Sequence, residues 1–264
     1  MTTFQVERLP SGHVEDDLIA VEAPLEIVVD GVPLAVLLRT PSTTREDDLD
    51  LAAGFLLTEG VIEALDDLAG LTPCIDPAAL DADNRVLVAL AAGVPRPTPR
   101  AFAAGTSCGL CGVSTLEDLA RRLPPRAPAA PPTLTAIGAM EPAVRSAQAA
   151  FRASGALHAA AVFDGATLMD HAEDVGRHNA VDKVIGRALR ARRLPLVGRV
   201  LWVSGRVSFD LVQKALVAGL DALVAVGAPT SLAVELARAQ GLHLVGFSRD
   251  GRANVYAGQC LRGP

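Results

Sequence analysis

Two apolar runs, residues 25–29 and 32–38, flank Asp30-Gly31 near the start of the chain. Asp-Gly between such runs predicts a β-hairpin, because both turn positions favour positive φ. Pro33 assigns one of the two strands to a sheet edge, since proline has no N–H to give to a ladder. Thr43-Thr44-Arg45-Glu46 fits a capping box. A helix is expected over 47–58, with Leu49, Ala52, Ala53 and Leu56 on one face and Gly60 just past its end. Residues 85–90 read as a further strand, and together these elements make a small α+β unit.

The pattern then breaks. Pro95, Pro97 and Pro99 mark an extended linker, followed by the glycine-flanked segment Thr106-Ser107-Cys108-Gly109-Leu110-Cys111-Gly112. Ser114-Thr115-Leu116-Glu117 is a second capping box, opening a short helix to about residue 123. Five prolines in the nine residues 124–132 mark a second linker. Beyond it a helix is expected over 134–154, stopped by Gly155. A hairpin at Asp164-Gly165 joins strands 158–163 and 166–169. Helices over 178–192, 209–219 and 231–240 alternate with strands over 200–204, 222–226 and 242–247, and 253–256 is a last short strand. Strands alternating with helices of this length imply a largely parallel sheet with both faces covered. The expected division is 1–132, an N-terminal α+β unit ending in the cysteine segment, and 133–264, an α/β domain.

Composition narrows the function. The 264 residues are half apolar, enough for one large or two modest cores, and the net charge is -6. Overall acidity argues against nucleic acid as a partner, because neutralising phosphates requires a basic face. No apolar run reaches the roughly 18 residues of a spanning helix, and residues 1–17 are polar and acidic. Neither a membrane nor a signal peptide is expected, and a cytoplasmic location is. Four cysteines, Cys74, Cys108, Cys111 and Cys260, are too few for a disulfide scaffold.

Three chemistries compete for Cys108-Gly109-Leu110-Cys111. Structural zinc needs two further ligands, and Cys74 and Cys260 are isolated in sequence. A thioredoxin-like redox pair sits between a strand and a helix, whereas this one follows a proline linker. A sulfur carrier needs an exposed thiol that reaches two partners in turn; Gly105, Gly109, Gly112 and the flanking linkers suit that. A helix opening near Ser114 would favour a thiolate at Cys111.

Three further segments lie between strands and the elements that follow them. Glu173-Asp174-Val175-Gly176-Arg177-His178-Asn179 leads into Ala180-Val181-Asp182-Lys183, Ser204-Gly205-Arg206-Val207-Ser208 follows a strand, and Phe247-Ser248-Arg249-Asp250-Gly251-Arg252 follows another. Ligands of α/β sheets sit outside the carboxyl ends of strands, helix N-terminal amides attract anions, and arginine grips phosphate bidentately. Arg206, Arg249 and Arg252 are therefore candidate phosphate ligands, and His178 a group to position or protonate. His171-Ala172-Glu173 matches the His-x-Glu of zinc deaminases, but there the cysteine pair follows the histidine; here it precedes it.

These segments resemble the FdhD family, the sulfur carrier proteins or accessory sulfurtransferases of formate dehydrogenase. Glu22-Ala23-Pro24-Leu25-Glu26-Ile27 and Gly54-Phe55-Leu56-Leu57-Thr58-Glu59-Gly60 fit as well, so the resemblance covers nearly the whole chain. It implies a cytidine deaminase-like three-layer α/β/α domain with a smaller N-terminal α+β domain. It implies that a cysteine desulfurase loads a persulfide on Cys108, with Cys111 assisting. The sulfur then passes to the molybdenum (or tungsten) bis(molybdopterin guanine dinucleotide) cofactor destined for formate dehydrogenase. The family's cofactor-binding segment falls on Phe247, Ser248, Arg249, Asp250, Gly251 and Arg252. A homodimer and no permanent metal are implied too. One departure is Asp210, where the family has Glu after Phe209. A cofactor-binding chaperone without sulfur transfer is the alternative, and a zinc hydrolase of the deaminase type a third possibility.

Overall fold

A computed structural model describes residues 1–42, 44–75, 81–97, 123 and 129–262. The segment of Cys108 and Cys111, with its capping box and most of its linkers, lies outside the described residues.

The chain begins with β1 (Thr2–Arg8) and β2 (His13–Ile19), an antiparallel pair that forms a sheet of its own. Next come β3 (Ala23–Val29), β4 (Val32–Arg39), α1 (Glu46–Thr58), β5 (Leu68–Pro73) and β6 (Arg85–Leu90). These four strands form a sheet in the order β4-β3-β6-β5, with Pro33 on edge strand β4. Asp30 and Gly31 both take positive φ, 47° and 81°, as the Asp-Gly turn requires. The capping box expected at 43–46 turns on Thr43, which lies outside the described residues. Helix α1 opens on Arg45 with no side-chain cap, and Arg45 instead donates to the backbone of Ala82 and Arg85.

The second half holds α2 (Leu134–Ala147), α3 (Ala149–Ser154), β7 (His158–Asp164), β8 (Thr167–Asp174), α4 (Arg177–Arg190), β9 (Val200–Val203), α5 (Phe209–Val217), β10 (Ala222–Ala225), α6 (Ser231–Ala239), β11 (His243–Arg249) and β12 (Arg252–Ala257). The expected long helix is broken at Gln148, one turn and a half after the internal Pro142. Six strands pair in the order β12-β11-β10-β9-β7-β8. β9, β10 and β11 run parallel; β7 and β12 are antiparallel to their neighbours β9 and β11. The chain is a mixed α/β protein, but the sheet is not the largely parallel one that the alternation predicts: β7–β8, β7–β9 and β11–β12 are antiparallel, because two of these connections are hairpins with no crossover helix.

Both faces of this sheet are buried, which is why its strands read as continuous apolar runs. Ala159, Ala161, Phe163, Trp202 and Val224 pack against Ile137, Met140 and Val144 of α2. Ala160, Val162, Leu201, Leu223 and Leu244 join the larger cluster on the opposite face with residues of α4, α5 and α6. That cluster continues through α1 into Leu25, Ile27, Val86 and Val88 of the four-stranded sheet.

The junction is the crossing of α1 with α4. A Cβ on Gly54 would lie 1.9 Å from the Asp182 carbonyl oxygen, and one on Gly186 1.8 Å from that of Asp50. Only glycine permits this approach. Polar groups flank it. Lys214 Nζ donates to Thr58 Oγ1 at 2.7 Å and pairs with Asp182 and Glu59 at 3.0 and 3.2 Å. Burial pulls the Lys214 ammonium towards neutrality, but Asp182 and Glu59 hold its pKa above the usual lysine value. Arg187 reaches Asp47, Asp50 and Asp170. No helix among the described residues is long and apolar enough to cross a membrane.

Candidate functional site

The parallel register brings four chain segments to one end of the six-stranded sheet. β7 is antiparallel to β9, with Ala160 opposite Val203, so the start of β7 lies beside the end of β9. There Ser204 Oγ accepts from the Ala159 amide at 3.0 Å and lies 3.3 Å from His158 Nδ1. The next loop joins through Gly227 N–H to the Gly205 carbonyl and Val207 N–H to that of Ala228, both 3.0 Å. Phe247 N–H donates to the Gly227 carbonyl at 3.2 Å. Gly227 is required here, since a Cβ would fall 2.8 Å from the Gly205 oxygen.

The motif from Asp174 to Lys183 divides into a structural set and a site set. Asp174 is fully buried, pairs with Lys183 Nζ at 2.7 Å, and accepts from Gly176 N–H and Asn179 Nδ2 at 2.9 and 2.8 Å. Asn179 also donates to the Leu38 carbonyl at 2.7 Å, and Asp174 accepts from Thr40 N–H at 3.2 Å. These residues fasten the start of α4 to the strand β4. A buried charge is tolerable only with such partners. Arg177 and His178 are left for the loop cluster. His178 Nε2 lies 3.4 Å from Ser208 Oγ and 3.6 Å from Asp210 Oδ2. Asp210, the residue that departs from the family pattern, thus helps to hold His178.

Arg177 is the residue that sequence reasoning passed over. It is half-buried, its Nε is inaccessible and lacks a hydrogen-bond partner, and it forms no ion pair among the described residues. Burial, together with the charge of Arg206, pulls its guanidinium pKa below the usual arginine value. Exposed Arg206 is likewise without an ion pair among the described residues. Two guanidiniums close enough to repel, beside Ser204, Ser208 and glycine backbone, suit a multivalent anion. His158 stands on the other side of Gly205, and a Cβ there would lie 3.5 Å from its ring and 3.7 Å from Arg177 Cδ. Burial, then Arg177 and His178, push the His158 pKa below the usual imidazole value. Arg177 lies within the polar segment 173–183, where the residue types signal a site but not which of them serves it, whereas nothing local in sequence marks His158.

The hairpin segment goes elsewhere. Phe247 has φ 52° and sits at a register shift, so the end of β11 bends. Ser248 is buried, Arg249 pairs with Arg252 across the sheet, and Asp250 and Gly251 turn at φ 51° and 73°. Ser248, Arg249, Asp250, Gly251 and Arg252 line a cavity of about 320 Å³ whose other wall is α2. The structure therefore brings His178 and Arg206 together, joins Phe247 to them through its backbone, and gives the two hairpin arginines their own cavity.

His171-Ala172-Glu173 lies within strand β8, and Glu173 accepts from the Ala150 and Phe151 amides at 3.0 and 2.7 Å, capping α3. Its carboxylate thus has a structural use. Cys74 is buried, and burial raises the thiol pKa of half-buried Cys260, which disfavours a thiolate.

Residues 20–260 match the model of the FdhD/NarQ family. Similar proteins include one from Mycolicibacterium paratuberculosis, 47% identical over 96% of this chain and 95% of its own length. Another is from Streptomyces coelicolor, 46% identical over 96% and 93%, and a third from Mycobacterium tuberculosis, 46% identical over 91% and 90%. All three are named sulfur carrier protein FdhD. A crystal structure from Desulfotalea psychrophila, described as a candidate formate dehydrogenase accessory protein, superposes with a TM-score of 0.74. It is 25% identical and covers 98% of this chain and 96% of that one.

Proposed function

Since this chain belongs to the FdhD/NarQ family, we propose that it is a sulfur carrier whose acceptor is held at the carboxyl ends of the strands. Cys108, as thiolate, attacks the terminal sulfur of a cysteine desulfurase persulfide. A new S–S bond forms at Cys108, the donor's S–S bond breaks, and the donor cysteine leaves as thiolate, with no net redox change. Cys111 assists or resolves. The acceptor is the molybdenum bis(molybdopterin guanine dinucleotide) cofactor, bound as substrate and destined for formate dehydrogenase; no permanent metal takes part.

The observation that carries the acceptor half is the placing of Arg177, its Nε buried without a partner, against Gly205 and hence beside Arg206, two cations without an ion pair among the described residues at a strand-end loop cluster. Cations without an ion pair, with Asp210 the one carboxylate whose charge bears on Arg177, fit a ligand rich in phosphate. Arg249 and Arg252 add a second cationic group at the hairpin, and His178 orients or protonates. In this reading residues 1–132 carry the thiols and 133–264, a cytidine deaminase-like domain, carries the acceptor. The protein acts as a cytoplasmic homodimer.

The test is intact mass spectrometry after incubation with a cysteine desulfurase and cysteine. One added sulfur on a peptide containing Cys108 is expected, and Cys108→Ala abolishes it without loss of folded signal. Full labelling and full formate dehydrogenase maturation by that variant would refute the carrier role. The chaperone alternative is favoured by the same cationic sites, which bind cofactor whether or not sulfur moves. It predicts that replacing both Cys108 and Cys111 spares maturation while replacing Arg249 and Arg252 destroys it.

A further inference from the structure

A second cavity, about 270 Å³, opens at the end of the six-stranded sheet away from the loop cluster. Val162 in its lining lies opposite Leu201, near the beginning of β9, whereas the loop cluster gathers beyond Val203 at its end. None of its lining residues lies in a motif singled out from the sequence. Val162, Val184 and Ala188 form a buried apolar floor. Met169, Leu196 and Val197 stand around it, and Met169 is 50% and Val197 62% exposed. Single exposed apolar side chains are ordinary, but several grouped about an apolar hollow mark a binding site.

The far wall is the loop 193–199, and the fold holds it in place. Arg193 N–H donates to the Ala188 carbonyl and Leu196 N–H to that of Ala218, both at 2.8 Å, and Gly198 N–H donates to Asp221 at 3.1 Å. Gly219, with φ 76°, passes so close that a Cβ on it would fall 2.5 Å from the Cβ of Pro195. The cavity is therefore formed before anything enters it, and a ligand meets little ordering cost.

Three charged side chains reach the lining, Asp170, Arg193 and Arg199. Asp170 pairs with Arg187, and Arg199 with Asp164. Exposed Arg193 has no ion pair among the described residues. The last carbonyls of α4, which would repel an anion if left free, accept from the amides of Ala191, Arg192 and Arg193. One cation is thus left over beside an apolar hollow. The volume falls below the roughly 300–1,000 Å³ usual for larger ligands, and a single free cation suits one negative charge.

We propose that this cavity binds a small amphiphilic monoanion, an unbranched carboxylate of about six to eight carbons. Its chain lies on Val162, Val184 and Ala188, and its carboxylate meets Arg193. The site is separate from the thiols and from the arginine loops.

The test is NMR of the full chain carrying carbon-13 at its methionine methyls, titrated with butanoate, hexanoate, octanoate and hexan-1-ol. The three methionines report different places: Met169 in the cavity wall, Met140 buried on the opposite face of the sheet, and Met1 at the start of the chain. Hexanoate should shift Met169 and leave Met1 and Met140 in place. Each added methylene should tighten binding about fourfold until the cavity is full. Hexan-1-ol should bind about tenfold more weakly than hexanoate, because it cannot make the charge-assisted hydrogen bond. Arg193→Gln should bring the two within about threefold of each other. Val197→Asp, which sets a like charge at the mouth, should weaken hexanoate and spare hexan-1-ol. Both substitutions are at exposed positions, and an unaltered melting curve verifies the fold. The inference is overturned by an unmoved Met169, by equal shifts at all three methionines, by affinity that ignores chain length, or by an unchanged preference for hexanoate in Arg193→Gln.

Discussion

Arg177 holds its charge against the grain of its surroundings. Its Nε is buried without an acceptor, and Arg206 repels it. An unsatisfied buried donor costs about 1–3 kcal/mol, so the residue weakens the free protein and prepares it for an anion. Arg177→Met is therefore expected to raise the melting temperature and to remove most of the stabilisation that added pyrophosphate gives the wild type. Differential scanning fluorimetry with and without pyrophosphate measures both. A lower melting temperature in the variant would mean that Arg177 has a structural partner after all. The same motif shows what a residue list can reveal. Clustering of polar types in Glu173 to Lys183 signalled a site, but Asp174, Asn179 and Lys183 satisfy one another in the interior while Arg177 and His178 face the loops. Side-chain types are legible in sequence; which partner each one finds is not.

Among elements, the crossing of α1 with α4 fixes the geometry of the loops. The N-terminus of α4 carries Arg177 and His178, and its depth is set by contact at Gly54 and Gly186. Gly186→Ala should destabilise the protein by about 3 kcal/mol or more, because the added methyl meets backbone that cannot yield. Urea titration should register this as a lower midpoint with an unchanged slope; a midpoint like the wild type's would show that the helices can separate freely. Period and turn chemistry located most strands and helices, since hydrophobic alternation and Asp-Gly turns are local signals. The hairpin β1–β2 carries no such signal, for a physical reason. Its residues are mostly exposed, it packs no core of its own, and its pattern is consequently polar. In the first turn of α1 polar groups serve tertiary contacts that no local pattern announces: Glu46 pairs with Arg190, and Asp48 is held bidentately by Arg39.

At the scale of the molecule, one apolar cluster runs from the four-stranded sheet through α1 and α4 to the six-stranded one. Unfolding of the two sheets should therefore be coupled. Trp202, the only tryptophan, is buried in the six-stranded sheet, whereas far-ultraviolet circular dichroism reads both parts. Coincident urea midpoints by the two probes are expected; a second, earlier circular dichroism transition would show the N-terminal sheet unfolding on its own. The succession of most strands and helices along the chain, the arginine-bearing turns and the family resemblance were readable from the sequence, because each depends on neighbours in sequence. The assembly of His158, Arg177 and Arg206 at one edge, the diversion of the hairpin arginines to a separate cavity, and the apolar hollow between Val162 and Arg193 were decided only by the fold. Those contacts join residues about 20 to 110 positions apart, and strand pairing, not local propensity, brings such residues within reach.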